Sequence, residues 1–347
     1  MSATPAPDTK STQLHLPAPE AWLASTTEAA VEPELEIIDA HHHLWDAPRP
    51  RYLLNEFLAD ASGGHRIVST VYVQCHAMHR AHGSEAEKSL GETEFATGMA
   101  AMSASGAYGP TRVCDGIVGY VDLRLPQAGA LLQQHKNIAG SRFKGVRNMS
   151  AWHPDPGVLA TSVVNPKDLL IDPDFRRGLG TLTDLGLVFD AFLFHSQLDD
   201  LINLAQTCSA TTIVLNHYGT PLGVGPYADQ RQAVFSDWSA SMARLAEFPN
   251  MHVKLGGLTM RVAGFGFEKQ PQAPSSDQLA QAWQPYFDCV VQLFGAERCM
   301  FESNFPVDKS GCSYTVLWNA CKKLCAKLPA TDRQALLSET ARRIYKL

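Results

Sequence analysis

Asp39-Ala40-His41-His42-His43 closes the largely apolar run Leu35–Ile38. Alternate side chains of a strand share a face, so His41 and His43 project together while His42 points away. Two imidazoles side by side at a strand end can hold a divalent cation, or polarise a carbonyl without one. By the same parity Asp39 is expected to face inward with them, in a structural task such as holding a cation or a backbone amide. Other apolar runs also end in reactive side chains: Gln74-Cys75-His76, Arg147-Asn148, Phe194-His195, Asn216-His217 and Glu302-Ser303-Asn304. Of thirteen histidines, five (41, 43, 76, 195 and 217) fall at such ends. That is a concentration expected of a site rather than of scattered surface residues. His76 lies among His79, Arg80 and His82, where a solvated loop is the plainer reading. Lys254, inside a further run, equally suits a buried amine paired with a carboxylate.

These residues need a scaffold that brings strand ends together. Eight short β-branched runs recur, at Glu36–His41, Ile67–Gln74, Gly116–Leu123, Arg142–Arg147, Leu187–Leu193, Thr212–Asn216, Met251–Leu255 and Arg298–Ser303. Between them lie helix-period segments at Gly91–Ser105, Gln127–His135, Pro173–Leu185, Ser196–Cys208, Arg231–Phe248 and Asp277–Phe294, with Tyr314–Leu328 and Thr331–Tyr345 after the last. Eight strand-then-helix units predict an α/β chain folded as a (β/α)8 TIM barrel. An open doubly wound sheet would call for a Gly-rich phosphate loop after the first strand, which here ends in histidines. Barrel enzymes carry their chemistry at the C-terminal ends of the strands, where these polar residues fall. Residues 1–34 read as an N-terminal arm with a short helix around Pro19–Ala30, and residues 35–347 as one barrel domain. Trp152–Asp172 and Arg261–Ser276 are insertions after strands four and seven.

The chain has 347 residues, 45% hydrophobic and 18% charged, with net charge −6 and no block of like charge. Neither a nucleic-acid face nor a polybasic membrane patch is indicated. Apolar runs fall far short of the roughly 20 residues that span a bilayer, and Met1–Lys10 lacks the apolar core of a secretory signal. Eight cysteines without CxxC spacing read as reduced thiols. The expectation is a cytoplasmic protein with a small-molecule substrate and no nucleic-acid or membrane partner; a homo-oligomer stays open. Arg147, Lys254 and the histidines favour an anionic or hydroxylated substrate.

Ile38-Asp39-Ala40-His41-His42-His43-Leu44-Trp45, Phe143-Lys144-Gly145-Val146-Arg147, Phe194-His195-Ser196-Gln197-Leu198, Val214-Leu215-Asn216-His217-Tyr218-Gly219 and Phe301-Glu302-Ser303-Asn304-Phe305-Pro306-Val307 follow one another in order. In these segments the chain resembles the amidohydrolase-2 branch of the amidohydrolase superfamily, the group holding sugar-lactone lactonases and 2-pyrone-4,6-dicarboxylate lactonase. The resemblance implies a deformed TIM barrel that hydrolyses a cyclic ester. It assigns carbonyl or metal binding to His41, His43 and His195, and the grip on a substrate carboxylate to Arg147. Where family members carry an aspartate that activates water, this chain has Asn304, whose amide cannot take a proton. Glu302, two residues earlier and favoured, Asp308, which could reach back from the following loop, and His217 are the candidate replacements, with Asn304, Gln74, His76 and Lys254 left to orient substrate. Either one divalent metal, zinc first, on His41, His43 and His195, or metal-free operation follows. The same branch also holds decarboxylases and hydratases of aromatic-derived acids, so a lyase is the alternative to a lactonase, and a non-catalytic binder on the same scaffold is the third reading.

Overall fold

The computed structural model describes residues 18–158 and 165–347. Among them eight strands form one parallel sheet in chain order: β1 Glu36–His42, β2 Arg66–Val73, β3 Arg112–Gly119, β4 Phe143–Met149, β5 Val188–Phe192, β6 Ile213–Leu215, β7 Met251–Leu255 and β8 Cys299–Phe301. The ring closes between the segment after β8 and β1, where Asn304 N donates to His41 O (2.8 Å) and His43 N to Phe305 O (2.8 Å). Helices follow every strand, so both faces of the sheet are covered and the strands are almost wholly buried. The architecture is the (β/α)8 barrel expected from the alternation. No helix of the described residues is long and apolar enough to cross a membrane.

Ile38, Ala40, Val71, Val73, Val118, Val188, Val214 and Met300 fill the barrel interior as one apolar cluster. Ala341, Ile344 and Tyr345 of the last helix close its lower end. This plug leaves the C-terminal strand ends as the open mouth, which is where the polar side chains gather.

Four expectations are corrected. Asp39 does not face inward: it pairs with Thr70 and His42 with Tyr72, three steps on β1 against two on β2. The extra residue is a bulge, which turns Ala40 and then His41 into the interior and leaves Asp39 on the helical side. There it accepts Ser303 N (2.8 Å), Ser303 Oγ (2.6 Å) and Tyr314 OH (2.9 Å), fastening β1 to the end of β8. Second, β3 begins and ends earlier than Gly116–Leu123, because Asp122 folds the chain into a turn by accepting Arg124 N (3.0 Å). Third, a helix at Leu54–Ala61 follows β1; its N-cap is Leu53, so no Ser, Thr, Asp or Asn announces it, and Glu56 caps Leu53 N instead (2.9 Å). Fourth, the arm's helix is confined to Glu20–Leu23. The expected loose arm before it, and residues 159–164 of the first insertion, lie outside the described residues.

Candidate functional site

Seven side chains, His41, His43, Arg147, Asp190, His217, Lys254 and Glu302, meet in the interior just above the valine layer. His41 and His43 leave the end of β1 on the same side, with ring centroids 4.8 Å apart and Nε2 atoms 3.2 Å apart. His42 turns away as parity demands, accepting or donating at Thr70 Oγ1 (2.8 Å) outside the barrel. Glu302 enters from the end of β8, wholly buried, and holds two histidines at once: His41 Nδ1 at 2.8 Å and His217 Nδ1 at 2.6 Å. It also accepts the backbone N–H of His217 (3.1 Å).

His217 follows β6 in a turn whose residues His217, Tyr218 and Thr220 all have positive φ (55°, 54° and 45°). Left-handed backbone at three non-glycine residues is costly and persists only where surroundings enforce it, as at many functional sites. The enforcement is visible: Trp238 Nε1 donates to Tyr218 O (2.7 Å), and Glu302 grips His217 at ring and backbone. The opposite wall is glycine by necessity. A Cβ on Gly256 would meet Glu302 Cγ at 2.4 Å, and one on Gly257 would meet His217 Cβ at 2.6 Å.

The charges are balanced in pairs. Lys254 of β7 donates to Asp190 of β5 (2.6 Å), which also takes Asn216 Nδ2 (3.0 Å) and Tyr345 OH (2.8 Å) from the C-terminal plug. Arg147 of β4 donates to Gln74 O and approaches His41 Nε2 at 3.3 Å. Burial, then the neighbouring Lys254 cation, holds His41 well below the usual histidine range; burial and Arg147 do the same for His43. Both rings are therefore neutral, and their tautomers follow from their partners. His43 Nδ1–H donates to Val73 O (2.7 Å), and His41 Nδ1 lies 2.8 Å from Glu302 Oε2. His43 Nε2 is thereby left as a lone pair, and it faces His41 Nε2, which accepts from the Arg147 guanidinium at 3.3 Å.

That arrangement suits a divalent ion. Two nitrogens at about 2.05 Å from a tetrahedral metal lie about 3.3 Å apart, close to the separation here. A carboxylate beside the second ring nitrogen, where Glu302 Oε2 stands 2.8 Å from His41 Nδ1, is the usual support for a metal-bound histidine. The described residues also bring His41, His217 and Glu302 together with ligand atoms within 4.8 Å of one another, a cluster that could hold a metal. At 2.6 and 2.8 Å, however, the Glu302 contacts have hydrogen-bond lengths, so the open face of the group is the Nε2 side.

His195, assigned by the resemblance to the same ligand set, stands apart from it. Its Nδ1 accepts Leu222 N (3.2 Å), which puts the proton on Nε2 and makes that atom a donor rather than a ligand. Its ring packs edge-on to Tyr227 (4.9 Å), beside an apolar wall of Phe192, Phe194, Leu222 and Met260. Asn304 has φ +53°, which ends the alternation of β8, and its side chain turns beside the Asp308 carboxyl rather than sharing a face with Glu302. Burial, and the nearby Glu302 charge, push Asp308 up to about 8. Gln74 is buried at the end of β2 with neither amide atom partnered. His76 lies outside this buried group, on the rim after β2. Lys254 is engaged by Asp190, as its buried-amine reading anticipated. Asp190 itself is absent from the residues singled out by sequence; a lone carboxylate on the face of Val188 and Phe192 was the available signal.

The amidohydrolase family profile matches residues 38–347. The uncharacterized protein y4mH of Sinorhizobium fredii is 30% identical over 336 residues, covering 90% of this chain and 99% of that protein. An L-fucono-1,5-lactonase of Burkholderia multivorans is 26% identical over 320 residues, covering 89% and 96%. The crystal structure of a zinc-bound amidohydrolase from Burkholderia multivorans superposes with a TM-score of 0.67 at 25% identity, over 90% of this chain and 99% of that one. The matched span holds every member of the buried group from His41 to Glu302, and this chain belongs to the amidohydrolase family.

Proposed function

We propose that the chain hydrolyses a small cyclic ester, with His41, His43, His217 and Glu302 at the reacting centre. The observation that carries this reading is the grip of Glu302 Oε1 on His217 at both ring and backbone, which sets the tautomer of His217, with Oε2 lying 2.8 Å from His41 Nδ1. With Nδ1–H committed to Glu302, His217 presents a basic Nε2, the arrangement of a carboxylate-oriented general base. Water loses a proton to this nitrogen as its oxygen bonds to the lactone carbonyl carbon. The ring C–O bond then breaks, and the proton passes to the departing alkoxide, giving a hydroxy acid.

Arg147, held by Gln74 O beside His41, and the Nε2–H donor of His195 orient the ester and its developing negative charge. Gln74 offers both unpartnered amide atoms to substrate hydroxyls. Asn304 anchors the β8 end to β1 through its backbone, and Lys254 with Asp190 supplies a fixed, neutral pair beneath the histidines. A divalent ion on His41 Nε2 and His43 Nε2 would supply Lewis-acid polarisation of the carbonyl and a more acidic water. The lactonase name of the Burkholderia multivorans relative supports the ester class. Initial rates on sugar and aromatic-catabolite lactones, followed with a pH indicator before and after chelation and zinc addition, test the proposal. Acid release on at least one lactone, lost in His217→Ala with the fold retained, is expected. No acid release from any lactone under any metal condition refutes it.

A further inference from the structure

A second polar cavity, of about 210 Å³, opens on the rim between the loops after β2, β3 and β4. It is lined by His76, Tyr120, Asp122, Arg124, Asn148 and Asn165. It neighbours the buried group, the Arg147 cation lying close enough to the His76 ring to help keep it neutral. The wall is built rather than incidental. His76 has φ +59°, a conformation that costs a non-glycine residue and needs enforcing. Glu92, buried on the helix Leu90–Ala104, enforces it by accepting Cys75 N (2.6 Å), Ala77 N (3.2 Å) and Tyr72 OH (2.8 Å) on either side.

Two polar atoms of this wall, His76 Nε2 and Asn148 Oδ1, are buried without a hydrogen-bond partner. Asn148 is only 3% exposed, and its Nδ2 already donates to Val121 O (3.0 Å), so the free oxygen is aimed by a fixed side chain. Buried polar atoms without partners are uncommon and mark places where a ligand completes the set. The Arg124 charge, by contrast, is spent. Arg124 is clamped by Asp122 through two parallel contacts, Nε–Oδ1 at 2.9 Å and Nη2–Oδ2 at 2.7 Å. Lys167, from the adjoining insertion, sits over the Trp152 ring at 5.1 Å. Burial pushes His76 down to about 4, so its ring is neutral.

From this cavity we infer a subsite for an uncharged, hydroxyl-bearing arm of the substrate, with His76, Tyr120 and Asn148 as its specificity-determining contacts. Hydroxyl groups donate to Asn148 Oδ1 and exchange hydrogen bonds with His76 and the Tyr120 phenol. A carboxylate arm would meet the Asp122 carboxylate on that wall and would leave Asn148 Oδ1 facing an acceptor. The inference rests on the ester-hydrolase reading for its kinetics, and is separable from it by binding.

The test uses three lactones of one ring size: one with a dihydroxyalkyl arm, one unsubstituted and one with a carboxylate-bearing arm. The ratio of kcat/KM for the hydroxylated over the unsubstituted lactone is expected to fall about tenfold in Tyr120→Phe and further in His76→Ala, through KM. An unchanged ratio in both variants overturns the inference, as does a wild-type preference for the carboxylate arm. Calorimetric binding of the matching lactam, a ring that is not hydrolysed, reads the subsite without chemistry. Binding by wild type that weakens about tenfold in His76→Ala supports the subsite even where no lactone is consumed. Equal binding of the hydroxylated and unsubstituted lactams overturns it.

Discussion

Replacing Glu302 by glutamine removes one charge and almost no volume, so its consequences can be worked atom by atom. Glu302 accepts two hydrogens at Oε1, from His217 Nδ1 and His217 N, and sets Oε2 2.8 Å from His41 Nδ1. An amide has one oxygen to accept with, and it presents NH2 to the other imidazole, where a donor would then face a donor. If the oxygen stays on His217, which it grips at two points, His41 must move its proton to Nε2. That hydrogen would fall between His41 and His43, joining the two nitrogens now 3.2 Å apart and consuming the paired lone pairs. Hydrogen bonds to a charged partner contribute about 1.5–3 kcal/mol. Loss of one in this buried site predicts a fall in kcat/KM of roughly 10- to 150-fold, with the circular dichroism of the wild type retained. Zinc affinity, measured by competition with a chromophoric chelator, is expected to drop by about 10–100-fold, the size seen when support of a ligand histidine is removed. Glu302→Gln with kcat/KM within threefold of wild type would refute the reasoning, because it would mean that neither tautomer depends on the carboxylate.

Three further outcomes follow from the same geometry. Lys254→Met leaves the Asp190 carboxylate buried without its cation and is expected to destabilise by about 3–5 kcal/mol; the double variant Lys254→Met/Asp190→Leu should recover most of that in denaturant unfolding, and a double variant no better than the single refutes the pairing. Gly257→Ala would put a methyl 2.6 Å from His217 Cβ at φ +75°, so kcat should fall at least about tenfold with a lowered Tm, whereas an unaltered kcat shows that His217 placement is not critical. Asp308, near 3.8 in the unfolded chain and about 8 when folded, binds a proton on folding. The unfolded state therefore holds fewer protons, and stability falls as pH rises from about 4 to 8; Asp308→Asn should remove that slope and be the more stable protein at pH 9, and parallel pH–stability curves for the two proteins contradict the assignment.

Much of this was legible before any coordinate. The His41/His43 pair, the outward His42, the inward Glu302 and the buried amine at Lys254 all follow from strand parity and the cost of burying charge. Parity failed where the strand is irregular. A single bulge sent Asp39 to the helical side while leaving His41 inside, and a positive φ at Asn304 broke the face it was expected to share with Glu302. Bulges and left-handed residues carry no periodic signal, so neither could be read from spacing. His195 illustrates a different limit: its position at a strand end is as expected, but its tautomer depends on Leu222 N, a contact made across a loop. Asp190 was hidden because one carboxylate in an otherwise apolar run reads as noise until the opposing lysine is in place. The helix Leu54–Ala61 was missed because Leu53 caps it without a polar side chain.

The central claim is that water adds to an ester carbonyl held over His41, His43 and His217. Turnover of a lactone substrate in water enriched in the heavy oxygen isotope tests it most directly, by mass spectrometry of the product under single-turnover conditions. One heavy oxygen in the carboxylate of a ring-opened hydroxy acid, with none in its hydroxyl, is the predicted result. Label in the hydroxyl instead, or release of carbon dioxide with no ring-opened acid, would contradict the account.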